Sequence, residues 1–365
     1  MPTGVTSDRL AGTLLCTALG DALGLPCEGM SARSIARRFG RVDRFRLLAK
    51  TGFVSDDTEQ SALIAQSLAR HPDDVDAFVR AFRRALIGWF CRLPWGTGLA
   101  TLRSCVRIGL DISPSGVVSA GNGAAMRAAI VGVFFHDLPE QRHEFGRALA
   151  QVTHRDERAI EGALFVAEVA ASCAPSTNNV GRETYIDEAR RVVTNRHLRE
   201  AIDRSVDLAC RGADLREAAQ VCGASEFVVH TVPFGTYCFL RCGDDPMRAL
   251  TEAISAGGDT DSCGAMLGGW LGALHGEGGL PGDLIRRIHD GPFGPSHLRA
   301  LTACLAQIRE DEPCRVPSYS PSWVTGSGGS CPSEPCLRDS LKPFAEAFLM
   351  EPKWLEWARR LNALD

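Results

Sequence analysis

Two short acidic clusters carry the clearest chemistry in this 365-residue chain: Ser55-Asp56-Asp57-Thr58 and, far downstream, Asp259-Thr260-Asp261-Ser262. Each places two carboxylates and a hydroxyl where a helical pattern begins. A helix start exposes unpaired amides and positive dipole character, so it tolerates an acid. Asp56, three residues before Glu59, has the spacing of a capping box. A cap needs one acceptor, however, and here paired acids recur at two separate helix starts.

The second cluster opens the segment DTDSCGAMLGGWLGALHG, with Gly264, Gly268, Gly272 and Gly276 at four-residue steps. Glycine costs a helix interior ~1 kcal/mol relative to alanine. Four in register imply that another backbone packs closely on that face. Such a helix carries Asp259 and Asp261 into the body of the protein. Like-charged carboxylates repel there and are poorly solvated unless a cation joins them. Asp56, Asp57, Asp259 and Asp261, with the hydroxyls of Ser55 and Ser262, are all hard oxygens. Such a set suits Mg²⁺ or Mn²⁺ rather than zinc, and the four acids would balance two divalent ions. The spacing is not that of an EF-hand, because DTDSCG lacks the third acid and the glutamate. It is not a phosphatase-type D-x-D-x-T loop either, since Ala-Gly-Gly precedes it in place of a hydrophobic strand.

The elements that must position these acids read as helices. Leu10, Leu14, Ala18 and Ala22 recur at four-residue steps. TEQSALIAQSLAR, DDVDAFVRAFRRALIGWF, ERAIEGALFVAEVAASC and LREAIDRSVDLACR are further helical runs. Strand-like alternation is scarce, so the expected class is all-α, one compact multi-helix domain over 8–308. Residues 309–336, rich in Pro, Ser and Gly, read as a linker or loop. Residues 337–365 read as a C-terminal helical segment packed back on the body, with a partner-binding helix as the alternative.

The chain is 45% hydrophobic and 23% charged with a net charge of -4, an ordinary globular composition without the basic footprint of a nucleic-acid binder. No stable nucleic-acid complex is expected. The N-terminus lacks a basic region followed by an apolar one, and no unbroken apolar run approaches the ~18 residues of a membrane span. The 14 cysteines contain no C-x-x-C and read as buried free thiols, which points to a reducing cytoplasm. Cys314, Cys331 and Cys336 lack the fourth ligand that a zinc site needs.

Several motifs occur in order: GDALGLPCEG (20–29), SDDT (55–58), SAGNGAAMR (119–127), THRD (153–156), HTVPFGTYCFLR (230–241) and GGDTDSCGAMLGGWLGA (257–273). Together they resemble the ADP-ribosylglycohydrolase family, from about residue 8 to about residue 308. The resemblance implies an all-α fold around two Mg²⁺ or Mn²⁺ ions. By position the metal ligands are Ser55, Asp56, Asp57, Asp259, Asp261 and Ser262. The family usually has threonine at the two serine positions; serine keeps the hydroxyl but loses the methyl that fixes the rotamer. Glu28, Asp57 and Asp259 are the catalytic candidates, with Glu28 as the acid beside the departing group or as a substrate gate. Gly121, Asn122 and Gly123 match the diphosphate and ribose region. As residues alone they are a plain turn entering a helix, where amides face an anion. His154 matches a contact to the diphosphate or distal ribose. Phe227 falls where some members stack adenine, and a core phenylalanine is the equal alternative. Arg127 reads as structural, paired with a buried acid. Nitrogenase-type members carry an aspartate near Gly96 and Thr97, and that carboxylate is absent here.

The activity implied is cleavage of the C1″ bond between ADP-ribose and an acceptor, through an oxocarbenium-like state, by a water activated at the metals. The acceptor stays open among arginine, serine, a nucleic-acid end and a small conjugate. The alternative is a non-catalytic ADP-ribose-binding or structural, crystallin-like protein on the same fold.

Overall fold

The computed structural model describes residues 7–47, 50–92, 94, 96–175 and 180–317. The expected C-terminal helix, and all but the start of the linker, lie outside them. Sixteen α-helices occur among the described residues, and no strand; four isolated β-bridges are the only extended pairings there. The first half of the bundle holds α1 (Ser7–Gly24), α2 (Ala32–Phe39), α3 (Asp56–Arg70), α4 (Val75–Phe90), α5 (Leu99–Gly109), α6 (Ala129–Phe134), α7 (Pro139–Gln151) and α8 (Glu157–Cys173). The second half holds α9 (Arg182–Ala189), α10 (Arg196–Cys210), α11 (Leu215–Cys222), α12 (Val228–Cys242), α13 (Pro246–Ser255), α14 (Thr260–His275), α15 (Gly282–Ile285) and α16 (Pro295–Arg309).

The pair α1 and α14 forms the axis. Every residue of α1 from Leu10 to Gly24 is buried, as it must be for a helix apolar on all faces. The stretch Ser7–Cys27 is long and apolar enough to cross a membrane, yet it is almost entirely buried inside the protein. No unbroken apolar run reaches that length, since Thr13, Thr17 and Asp21 interrupt α1; the helix is apolar on average because other helices enclose it. It packs on α14, α16, α3 and α6.

The glycine face of α14 explains the closeness. A Cβ on Gly264 would lie 2.5 Å from the Gly20 carbonyl oxygen, one on Gly268 2.1 Å from that of Cys16, and one on Gly272 2.0 Å from that of Gly12. The order of these contacts makes the two helices antiparallel. Gly276 does not belong to the stripe: it ends the helix at φ +69°, the left-handed conformation that glycine adopts freely. On the opposite side of α14, Trp270 packs edge-on against Phe165 of α8 and Phe239 of α12, and its indole N–H donates to the Val166 carbonyl at 3.0 Å.

Two further expectations need correction. Glu59 does not close a capping box, because its carboxylate accepts from the Trp89 indole at 2.5 Å and lies 3.8 Å from Arg92. Ser55 is the N-cap of α3, accepting from the Asp57 amide at 3.4 Å. Nor are all the cysteines free: Cys304 on α16 is bonded to Cys314, which follows that helix closely enough to reach back to it. Ten others among the described residues are free thiols, eight of them buried.

Candidate functional site

The start of α3 is held from below by Asp21, a fully buried acid on α1. Its carboxylate accepts from the Ser55 amide at 2.9 and 3.1 Å, the Thr58 amide at 3.2 Å and the Thr58 hydroxyl at 2.5 Å. Burial pushes Asp21 up to about 6, against the downward pull of those hydrogen bonds. Sequence reasoning missed this residue. Its signal was an acid alone in a helix of small and apolar residues, which has to find partners when buried.

Asp56 and Asp57, on the first turn of α3, are buried beside it. Asp56 Oδ2 accepts from the Gln60 amide at 2.8 Å. Asp57 Oδ2 accepts from the Ser55 hydroxyl at 3.1 Å and, across the site, from the Ser262 hydroxyl at 3.4 Å. Asp57 Oδ1 is buried without a hydrogen-bond partner. Asp261 is buried on the first turn of α14 and accepts from the Ser262 amide at 3.0 Å. The two clusters therefore meet, as the sequence pattern anticipates. Burial first, and then neighbouring carboxylates, push Asp56, Asp57 and Asp261 well above the ordinary range. For Asp57 those neighbours include Asp56 and Asp261; for Asp261 they are led by Asp259.

Asp259 occupies the N-cap position of α14 but makes no capping bond. Its Oδ2 accepts instead from the Asn122 amide at 2.6 Å. Among the described residues no group of three or more Asp, Glu, His or Cys side chains is gathered at metal-binding spacing. The Asn122 bond draws Asp259 toward the glycine turn. The donor chemistry nonetheless fits a hard cation: all oxygen, crowded with like charge, with one buried oxygen unpartnered.

Glu28 is exposed at the rim, just past a short 3₁₀ turn. Its loop is tied to the loop before α14: the Gly29 amide donates to Gly258 at 2.9 Å, and the Gly258 amide donates to Met30 at 2.8 Å. Partial burial, then the charges of Asp259 and Glu226, raise the Glu28 carboxyl.

From these acids runs a cleft of about 520 Å³, within the size range of small-molecule sites. Gly121, Asn122, Gly123, His154 and Phe227 all line it, together with Glu28, Asp56, Asp259, Asp261 and Ser262. Gly121 bridges Phe227 in an antiparallel pairing, with Asn122 N–H to Glu226 O at 2.8 Å. Asn122 also donates to the Thr231 hydroxyl at 2.9 Å, so its amide ties the turn to both α12 and Asp259. The turn leads only into a three-residue 3₁₀ segment, and α6 begins later, at Ala129. The expected helix start at the glycines is thus absent, and any anion there would meet loop amides.

His154 is buried, its Nδ1 2.8 Å from the Thr153 hydroxyl and its other edge toward the glycines. A Cβ on Gly121 would lie 3.4 Å from Nε2, and one on Gly123 3.1 Å from Cε1. Burial, then the charge of Arg127, push the imidazole down to about 3. Phe227 is 47% exposed, which decides against a core role. Arg127 donates to Gln60 and to the Thr153 hydroxyl rather than pairing directly with an acid.

Gly96 adopts φ +86°, and a Cβ there would lie 3.0 Å from Asp56 Oδ1. Gly96 is thus bare backbone against a buried acid. Arg103 on α5 is the one lysine or arginine among the described residues that line the cleft, and sequence reasoning missed it. A single arginine within an amphipathic run has no pattern to distinguish it.

A family model described as ADP-ribosylglycohydrolase matches residues 2–314. An uncharacterized protein of Archaeoglobus fulgidus is 30% identical over 273 residues, covering 73% of this chain and 87% of that one. The ADP-ribosyl-[dinitrogen reductase] glycohydrolase of Rhodospirillum rubrum is 27% identical, covering 77% of this chain and 90% of that one. The ADP-ribosylhydrolase ARH3 of Gallus gallus is 27% identical, covering 75% and 87%. A solved structure titled ADP-ribosylglycohydrolase-related protein complex superposes with a TM-score of 0.66 at 25% identity, covering 83% of this chain and 98% of that one.

Proposed function

The chain belongs to the ADP-ribosylglycohydrolase family, and from that premise we propose that it hydrolyses the C1″ bond joining ADP-ribose to an acceptor, with two Mg²⁺ or Mn²⁺ ions at the acidic end of the cleft. The observation that carries this reading is Asp57. Its Oδ1 is buried and unpartnered, and acids from two distant helix starts crowd its other side. A buried carboxyl with a spare lone pair, whose charge its acidic neighbours oppose until a cation joins them, is a cation ligand in waiting.

Ser55, Asp56, Asp57, Asp259, Asp261 and Ser262 would hold the ions, which supply positive charge and Lewis acidity when bound. The chain's own residues supply the rest. Asp21 fixes the first acidic turn through four hydrogen bonds. Asn122 holds Asp259 against the glycine turn. Glu28, its carboxyl raised, stands at the rim to protonate the departing acceptor. Gly121 and Gly123 bring backbone close to the diphosphate, His154 faces it, and exposed Phe227 offers a surface for adenine. The acceptor, a modified protein, a nucleic-acid end or a small conjugate, would leave past Glu28.

The test is release of free ADP-ribose from ADP-ribosyl-arginine, ADP-ribosyl-serine and an ADP-ribosylated nucleic-acid end, with Mg²⁺ or Mn²⁺. Turnover of at least one, abolished by chelator and by Asp56→Ala, is expected. Binding of ADP-ribose with no release from any of them would overturn the catalytic reading in favour of a binding protein.

A further inference from the structure

Arg127 is an enclosed cation, 1% exposed, for which the proposed reaction has no role. Its guanidinium lies over the Phe82 ring at 5.1 Å, donates from Nη1 to Gln60 Oε1, and donates from Nη2 to Thr153 Oγ1 at 2.6 Å. A guanidinium can only donate, so it dictates what each neighbour does with its protons.

On one side, Gln60 must turn its carbonyl oxygen to Arg127. Its amide nitrogen then faces Asp56, at 2.8 Å. On the other side, Thr153 has an oxygen lone pair occupied by Arg127, and its hydroxyl proton needs an acceptor. His154 Nδ1 lies within reach at 2.8 Å. An Nδ1 that accepts leaves the ring proton of a neutral imidazole on Nε2. Burial keeps that imidazole neutral at pH 7, and Nε2 is on the edge that meets Gly121 and Gly123.

We propose that Arg127 is a positioning residue that, through the Thr153 hydroxyl, locks His154 as the Nε2–H tautomer, so that the cleft presents a neutral N–H donor to a substrate oxygen at the glycine turn. The same cation orients Gln60 beneath Asp56, so one buried group sets the hydrogen bonding of both walls. This rests on the reading of the cleft as an ADP-ribose site, but the proton placement can be observed without substrate.

The experiment is two-bond ¹H–¹⁵N correlation of the imidazoles in the full-length protein at pH 7, with His154 assigned by loss of its signals in His154→Gln. The Nε2–H pattern is expected in the wild type. Thr153→Val removes the hydroxyl and is expected to shift His154 toward the other tautomer, while Thr153→Ser keeps the wild-type pattern. ADP-ribose affinity by calorimetry is expected to fall about tenfold in Thr153→Val and to stay within about twofold in Thr153→Ser. An Nδ1–H pattern in the wild type overturns the proposal, and so does an unchanged pattern in Thr153→Val. If the wild type shows the Nε2–H pattern but no variant or wild type binds ADP-ribose, the site reading fails and the relay stands.

Discussion

Gly268 of α14 lies so close to Cys16 of α1 that a Cβ on the glycine would fall 2.1 Å from the cysteine's carbonyl oxygen. Backbone meets backbone there, and nothing flexible can give way. The contact matters for chemistry because α14 carries Asp259 and Asp261 at its N-terminus.

Gly268→Ala is therefore expected to destabilise the fold by about 1–3 kcal/mol, the usual range for overpacking. Urea denaturation measures it. Gly88, within α4, has nothing within 4 Å of a built Cβ. Gly88→Ala is expected to stabilise by about 0.5–1 kcal/mol in the same assay. If both variants moved in the same direction, close helix packing would not be the reason for the stripe.

Asp57→Asn removes one of several mutually repelling carboxylates. The variant is expected to melt at or above the wild-type temperature without divalent ions. Added Mg²⁺ or Mn²⁺ is expected to raise the wild-type melting temperature through binding to the folded state and to leave the variant unchanged. A metal-induced rise of wild-type size in Asp57→Asn would count against that residue as a ligand.

Phe227 is exposed beside the cleft, so its truncation does not open a core cavity. Phe227→Ala is expected to cost about 1–3 kcal/mol of ADP-ribose binding, the scale of an aromatic–base stack, with an unchanged thermal melt. Calorimetry with ADP-ribose and with ribose 5-phosphate separates the adenine contribution, since only the first ligand should lose affinity.

His154 has its pKa lowered from 6.5 to about 3 in the folded protein. Between those values the unfolded chain binds the extra proton, so stability falls as pH drops through that window and levels off below it. His154 alone gives a slope of about 1.4 kcal/mol per pH unit below 6.5. His154→Gln should flatten denaturation curves between pH 6 and pH 4 relative to wild type. An identical slope in both proteins would mean that the histidine is not held neutral.

Much of this was legible where a single physical demand shapes the residues. The glycine repeat announced a close approach, and SDDT with DTDS announced one charged site. The partner was not legible: Gly12 and Gly20 sit in α1 as ordinary small residues until α14 lies against them. Asp21 has no partner in the sequence pattern, because one acid in an apolar helix carries no spacing. Gly276 imitates the stripe because a helix end and a helix face share the same four-residue step. Glu59 has capping-box spacing, but the Trp89 indole claims its carboxylate. Such competitions are settled by tertiary neighbours, which local pattern does not contain.

The α1–α14 pairing also has a consequence in time. α1 is made before α14, and twelve other described α-helices lie between them. At ~5–20 residues per second, the roughly 240 residues between them take on the order of 10–50 s to synthesise. For that interval a helix apolar enough to enter a membrane has no partner for its closest-packed face. The closest-packed face of α1 is thus completed only once α14 has been made, so the glycine stripe joins the two ends of that interval.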